Sequence, residues 1–249
     1  MIINDTLQLQ FTRLKAFAAS THAKAFFTLS GCWAGLCSPQ TLPVSIKSMI
    51  FIINEQNPQK RLIDKAVDVL HHGGVIIYPT DTVYAYGCDI NDKRAIEKIY
   101  WIKRIVRNKP LSFIFSQISE ISAYVRNISD QAFKIMKKAF PGPYTLIFKA
   151  TKLVPKIAIT NQKTIGVRIP ADNIALELVR TLGRPIMSAS VNNANGEYIV
   201  EPKDLEKIYR NEVDLVIDAG PKISELSTVI DLTEGYPIIM RKGKGEIFF

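Results

Sequence analysis

The sequence predicts a single α/β domain around a twisted mixed sheet, and three observations carry that expectation. Short apolar runs such as "VIIY" (75–78), "LSFIF" (111–115) and "RPIMSAS" (184–190) read as buried strands. Stretches with helical spacing stand between them, and no internal repeat or low-complexity linker divides the chain. The 249 residues are 47% hydrophobic and 22% charged, which supplies apolar mass for one large core.

The first 48 residues fit that pattern poorly. They carry four basic residues (Arg13, Lys15, Lys24, Lys47) against one acid, Asp5, and show no clear period. They read as a poorly structured N-terminal extension or a mis-assigned start, with the domain spanning 49–249. From there "RLIDKAVDVLHHGG" places Leu62, Ile63, Ala66, Val67 and Leu70 on one helical face, with Gly73 as the stop. Asn91 or Asp92 can cap a helix that turns Ala95, Ile96, Ile99 and Tyr100 inward. Ser129 caps "DQAFKIMKKAF", which "PGP" (141–143) ends before the strand "YTLIFKA". Next come the strand "TIGVRIP", a helix from Asn173 to Leu182 closed by Gly183, and "RPIMSAS". "VDLVIDAG", "STVIDL" and "YPIIMRKG" form a β-rich C-terminal part.

Composition excludes several function classes. The net charge of +9 and pI near 9.4 favour anionic partners. The three cysteines (Cys32, Cys37, Cys88) make no disulfide framework, and Cys88 reads as a small apolar packing residue in a reducing cytoplasm. The three histidines form no cluster with cysteine at ligand spacing, so no metal site is expected. No apolar run is long enough to span a bilayer. There is no G-x-x-x-x-G-K-[ST] loop, no G-x-G-x-x-G fingerprint and no nucleophile elbow. Chemistry here must rest on positioning and charge stabilisation, which suits attack on an activated phosphate.

Polar residues collect at strand ends: Thr80, Asp81 and Thr82; Arg168; Ser188, Ser190 and Asn192; Ser227 and Thr228; Arg241. In an open α/β sheet such ends face the ligand crevice, where hydroxyls hydrogen-bond a small polar ligand and arginines hold carboxylate or phosphate. Each has a structural alternative: Thr82 as a turn residue, Asn192 as an Asx-turn, Arg168 as a surface ion pair.

The stretches "GGVIIYPTDTVYAYGCDI", "KRIVRNKPLSFIF", "FPGPYTLIFKA", "TIGVRIP", "PIMSASVN" and "STVIDLT…PIIMRKGKG" together resemble the YrdC domain family, across residues 52–247. "NPQKRLIDKAV", "VYAYGC" and "KTIGVRIP" are most similar to its YciO-type branch. The resemblance implies a twisted mixed sheet with a large, basic concave cavity. It also implies L-threonylcarbamoyladenylate synthesis, a nucleotidyl transfer from L-threonine, bicarbonate and ATP, with pyrophosphate released and magnesium accompanying the nucleotide, for tRNA t6A modification in the cytoplasm. It assigns Thr82, Arg168 and Ser227 to L-threonine, and Thr164, Ser190, Asn192 and Arg241 to ATP. Of the family's catalytic K-x-R, Lys103 matches, but Ile105 stands at the arginine position, so the charge is met by Lys103 with Arg104 or Arg107, Arg107 being the first choice, or is met less well. The rival reading is a non-catalytic or weakly catalytic module binding tRNA or double-stranded RNA through Lys93, Arg94, Lys98, Lys103, Arg104, Arg107 and Lys109.

Overall fold

Alternation along the strands decides which helices cover which side of the sheet. The computed structural model describes residues 49–105, 111–193, 196–222 and 225–249. The expectations for residues 1–48 and for Arg107 therefore lie outside the described residues.

In chain order the elements are β1 (Met49–Ile52), α1 (Lys60–His71), β2 (Ile76–Tyr78), β3 (Ala85–Asp89), α2 (Lys93–Ile102), β4 (Ser112–Ile114), α3 (Ile118–Tyr124) and β5 (Val125–Arg126). They continue with α4 (Asp130–Ala139), β6 (Tyr144–Ala150), a 3₁₀ turn (Lys156–Ala158), β7 (Thr164–Arg168), α5 (Asn173–Leu182), β8 (Ile186–Ser190), α6 (Pro202–Tyr209), β9 (Leu215–Asp218), β10 (Thr228–Asp231) and β11 (Ile238–Arg241). One eleven-stranded mixed sheet runs β1-β9-β2-β3-β8-β4-β7-β6-β10-β11, with β5 added to β6. The expected single α/β architecture is the one observed.

Several local signals act as the sequence implies. Of the two candidate caps before α2, Asp92 does the work, accepting from Ala95 N at 2.8 Å. Ser129 accepts from Ala132 N at 3.1 Å, and Gly183 closes α5 in the left-handed conformation, φ 72°. Helices α3 and α6 escape the sequence reading. Among the residues of α3 only Ile121 is buried, and α6 buries Pro202, Leu205 and Tyr209, too few positions to print a helical period.

Even and odd residues of each strand face opposite layers. Ile77, Tyr86, Phe113, Leu146, Phe148, Ile165, Val167, Met187 and Val216 join α2, α4 and α6 in one core cluster. Ile76, Tyr78, Ala85, Ile114, Ile186, Leu215 and Ile217 meet α1 and α5 in another. Burying the five inward residues of α5 is worth about 1.5–3 kcal/mol for each large side chain. The two helices of this second layer pack on each other, and their cluster takes in residues of β9, β2, β3, β8 and β4 but none of β6, β7 or β10 among the described residues. That uncovered stretch of sheet is where the cavity lies.

The tyrosines of residues 73–88 are held by partners distant in the sequence. Tyr78 donates to Ser188 Oγ at 2.8 Å, and its ring lies against Gly87, where a Cβ would come within 2.7 Å of Tyr78 Cε1. Tyr84 donates to Gly220 O at 2.7 Å, and Tyr86 packs edge-on against Tyr209 at 5.5 Å. Cys88 is fully buried, and burial raises its thiol pKa, consistent with an apolar packing role.

Gly87→Ala should therefore destabilise the fold by about 1–3 kcal/mol, because the new methyl overpacks a ring that is itself fully buried. Urea denaturation checks this: the midpoint should fall, and an unchanged midpoint would show that Tyr78 can move aside without cost.

Candidate active site

Ser188 pairs with Ser112 and Ser112 with Gly166, so three adjacent strands carry small residues at one level of the uncovered face. Above this floor is a cavity of about 490 Å³. Its wall includes Thr80, Lys103, Ile105, Thr145, Ser190, Asn192, Tyr198, Ser227 and Arg241, with Arg168 rising from β7. Three cations line it, and no carboxylate does among the described residues.

The strand ends do not all meet at one edge, as a crevice beyond carboxyl ends would require. Antiparallel pairing of β4 with β8 and of β3 with β8 puts Ser190 at the opposite end of the sheet from Arg168. Arg241, at the carboxyl end of β11, and Ser227, just before β10, share the Arg168 end, because β10 runs parallel to β6 and β6 antiparallel to β7. The cavity thus spans the face of a mixed sheet between two polar rims.

At one rim, Lys103 Nζ donates to the Ser190 carbonyl and, at 2.8 Å, to Asn192 Oδ1, and it lies 5.7 Å from the Tyr86 ring centroid. The structure so brings Lys103, Ser190 and Asn192 together. Ile105 lines the same cavity. Arg104 does not: it has a positive φ of 50°, is exposed, and lines a neighbouring cleft with Trp101 and Glu212.

At the other rim, Arg168 is 7% exposed and pairs through Nη2 with Asp81 Oδ1 and, at 2.7 Å, with Thr82 Oγ1. Its surface-ion-pair alternative is thereby corrected, since both partners are buried. Asp81 also accepts from Ala171 N at 3.1 Å, and its carbonyl accepts from Lys244 Nζ at 2.6 Å. Thr82, 1% exposed, stands behind Arg168 and shares a hydrogen bond with Thr80 at 3.0 Å. Arg168 Nε is the one buried side-chain polar atom among the described residues with no partner. A buried donor left unpaired is costly, so its vacancy points to an acceptor supplied by a ligand.

Arg241 donates through Nε and Nη2 to Ser227 O at 3.1 and 2.9 Å, and Ser227 Oγ meets Thr145 Oγ1 at 2.8 Å. Burial lowers the Arg241 pKa, Tyr198 opposes that, and the like charge of Arg168 adds to the lowering. Two guanidinium groups that repel across one cavity form a seat for an anion. Thr164 is not among the lining residues; its hydroxyl meets that of Thr160 at 2.8 Å.

Sequence reasoning passed over Ser112, Thr145, Tyr198 and Lys244. Ser112 and Thr145 were detectable as polar residues inside otherwise apolar strands, "LSFIF" and "YTLIFKA". Tyr198 and Lys244 carry no such local signal.

Comparison with known proteins decides the family. The Sua5/YciO/YrdC family pattern, described as telomere recombination, matches residues 68–243. The chain belongs to the Sua5/YciO/YrdC family. A Haemophilus influenzae protein named only as uncharacterized is 41% identical over 201 residues, 80% of this chain and 97% of that one. YciO of Escherichia coli is 39% identical over 202 residues, and its crystal structure superposes with a TM-score of 0.76, covering 80% of this chain and 97% of that one. The threonylcarbamoyl-AMP synthase of Pyrococcus abyssi is 29% identical over 197 residues, which span 78% of this chain and 58% of that one. The crystal structure of P. abyssi Sua5 complexed with L-threonine gives a TM-score of 0.74 at 28% identity, covering 79% of this chain and 58% of that one.

Asp81→Asn should cost about 3–5 kcal/mol of stability, because it leaves the Arg168 charge buried without its partner. The double change Asp81→Asn with Arg168→Met should recover part of that loss in thermal unfolding; equal losses in the single and double variants would show that the pair does not carry the effect.

Proposed function

We propose that the chain is a threonylcarbamoyl-AMP synthase of the YciO-type branch, forming the adenylate from L-threonine, bicarbonate and ATP in the cytoplasm. The observation that carries this reading is the buried, unpartnered Nε of Arg168 across one cavity from Arg241. The Pyrococcus abyssi similarities, a protein named as the synthase and a Sua5 structure complexed with L-threonine, support it.

In this reading the threonine carboxylate sits on the open Nε of Arg168, whose plane is fixed by Asp81 and Thr82. The contribution of Thr82 to threonine binding then passes through that guanidinium. Ser227, Thr145 and Thr80 offer hydroxyls to the amine and side chain. The carbamate forms on the threonine nitrogen from bicarbonate, with loss of water. Its oxygen attacks the α-phosphorus of ATP, and the bond to the bridging oxygen breaks to release pyrophosphate. Arg241 faces the phosphates from one rim, while Lys103, Ser190 and Asn192 hold the nucleotide from the other. In this reading magnesium accompanies the nucleotide substrate and screens its phosphate charge.

Pyrophosphate release from ATP tests the reading. It should require both L-threonine and bicarbonate and be lost in Arg168→Ala; release that is indifferent to threonine overturns it, as does salt-sensitive RNA retention without any turnover.

Ile105 places an apolar side chain in the cavity wall where the family's catalytic arginine is expected. Ile105→Arg should raise the rate of adenylate formation by roughly 10-fold while changing ATP affinity little, since a cation there acts where charge develops. An unchanged rate in single-turnover assays would mean that another cation already fills the role.

A further inference from the structure

Among the described residues that line the candidate active site, Tyr198 is the one aromatic side chain, and the proposed reaction leaves it without a role. It is half-buried. Tyr78, Tyr84, Tyr144 and Tyr209 each donate a hydroxyl to a protein acceptor, at 2.8, 2.7, 2.8 and 2.7 Å. Tyr198 makes no hydroxyl hydrogen bond and no ring contact among the described residues. An amphipathic ring kept in a cavity wall with neither its face nor its hydroxyl engaged is available to a ligand.

The backbone around Tyr198 is firmly held. Tyr198 pairs with Asn192 through an antiparallel bridge. Inside that bridge Asn193 N donates to Glu197 O at 2.8 Å, Glu197 N to Asn193 Oδ1 at 2.9 Å and Asn193 Nδ2 to Glu197 Oε2 at 2.9 Å. Outside it, Tyr209 donates to Asn192 O at 2.7 Å and Lys222 N to Val200 O at 3.2 Å. The bridge sets Tyr198 beside the Lys103 rim, to which Asn192 belongs. Tyr198 also lies close enough to Arg241 to oppose the lowering of its pKa by burial. The ring therefore stands between the two polar rims, on a backbone that does not have to be ordered when a ligand arrives.

The charge of the cavity accounts for one half of a nucleotide only. Lys103, Arg168 and Arg241 attract the phosphates, whereas a base is neutral and flat and gains most from the face of an aromatic ring. Ile147 and Val229, half-buried on the sheet, add apolar surface to the same lining, and Val229 pairs with Arg241. We infer that Tyr198 is the base platform of this site, on which the nucleobase stacks while the triphosphate turns toward Arg241. The inference rests on the proposed nucleotide-dependent reaction and adds to it the residue that holds the base.

Calorimetry on the full chain, with ATP and separately with inorganic tripolyphosphate, tests it. Tyr198→Ala should weaken ATP binding about 10-fold, the order of loss for one base–aromatic stack, and leave tripolyphosphate binding unchanged. Tyr198→Phe keeps the ring and should bind ATP as the native chain does. The ultraviolet absorbance of the base should fall on binding to the native chain and to Tyr198→Phe, as stacking requires, but not on binding to Tyr198→Ala. Thermal unfolding of each variant checks that it is folded. The inference is overturned if Tyr198→Ala binds ATP as tightly as the native chain or loses ATP and tripolyphosphate equally. It is overturned as well if Tyr198→Phe loses as much as Tyr198→Ala, or if the native chain does not bind ATP. Ring-dependent ATP binding without threonine-dependent pyrophosphate release would sink the proposed reaction and leave the base platform standing. Threonine-dependent release with ATP binding that ignores the ring would do the reverse.

Discussion

The buried Arg168 guanidinium is the constraint around which the cavity is arranged. An isolated charge on a sheet face that is 7% exposed would cost several kcal/mol in lost hydration. Asp81 offsets that cost, and to do so the loop after β2 must fold back across the sheet toward the far end of β7. That loop is pinned again by Ala171 N on the Asp81 carboxylate and by Lys244 on its carbonyl. One ion pair so ties the β2–β3 loop, the β7–α5 loop and the C-terminal segment into one rim. The Nε that it leaves unsatisfied is then a consequence of the same geometry, because Asp81 and Thr82 both approach the Nη2 side.

The fold was legible where a residue's role is local. Capping by Asp92 and Ser129 and the left-handed stop at Gly183 depend on neighbours within a turn, and the sequence shows those neighbours. Strand positions were legible as apolar runs, but their direction in the sheet was not. Whether the polar strand ends share one edge was not legible, and they do not all do so, because β8 runs antiparallel to both β3 and β4 and β6 antiparallel to β7. Pairing direction is set by contacts such as Ala85 with Ser190, more than a hundred residues apart, which no window of sequence displays. Arg168 shows the same limit. Its side chain was readable as an anion holder, but its partner Asp81 lies 87 residues away. Arg104 and Ile105 differ for a local reason that the sequence hides: Arg104 has a positive φ just after the helix and lines only the neighbouring cleft, whereas Ile105 lines both that cleft and the cavity.

The anchoring of the remaining cations bears on the chemistry the cavity can perform. Arg241 is fixed by the carbonyl and hydroxyl of Ser227, neutral acceptors that orient the guanidinium without cancelling its charge. Ser227 is itself steadied by Thr145, and Thr228 beside it donates to Gly245 O at 2.6 Å, so the anchor belongs to the sheet and not to a loose loop. Gly243 can lie against that anchor because it lacks a Cβ, which would come within 2.3 Å of Leu226 O. Lys103 is likewise seated on the Ser190 carbonyl and the Asn192 side chain. Positive groups oriented beforehand by rigid dipoles need no reorganisation when negative charge develops between them, which is the condition for electrostatic catalysis. Ile105 interrupts that ring of charge beside Lys103. The cavity is therefore better equipped to hold an anion than to stabilise added charge at the Lys103 rim, and binding and chemistry become separable properties of the same pocket.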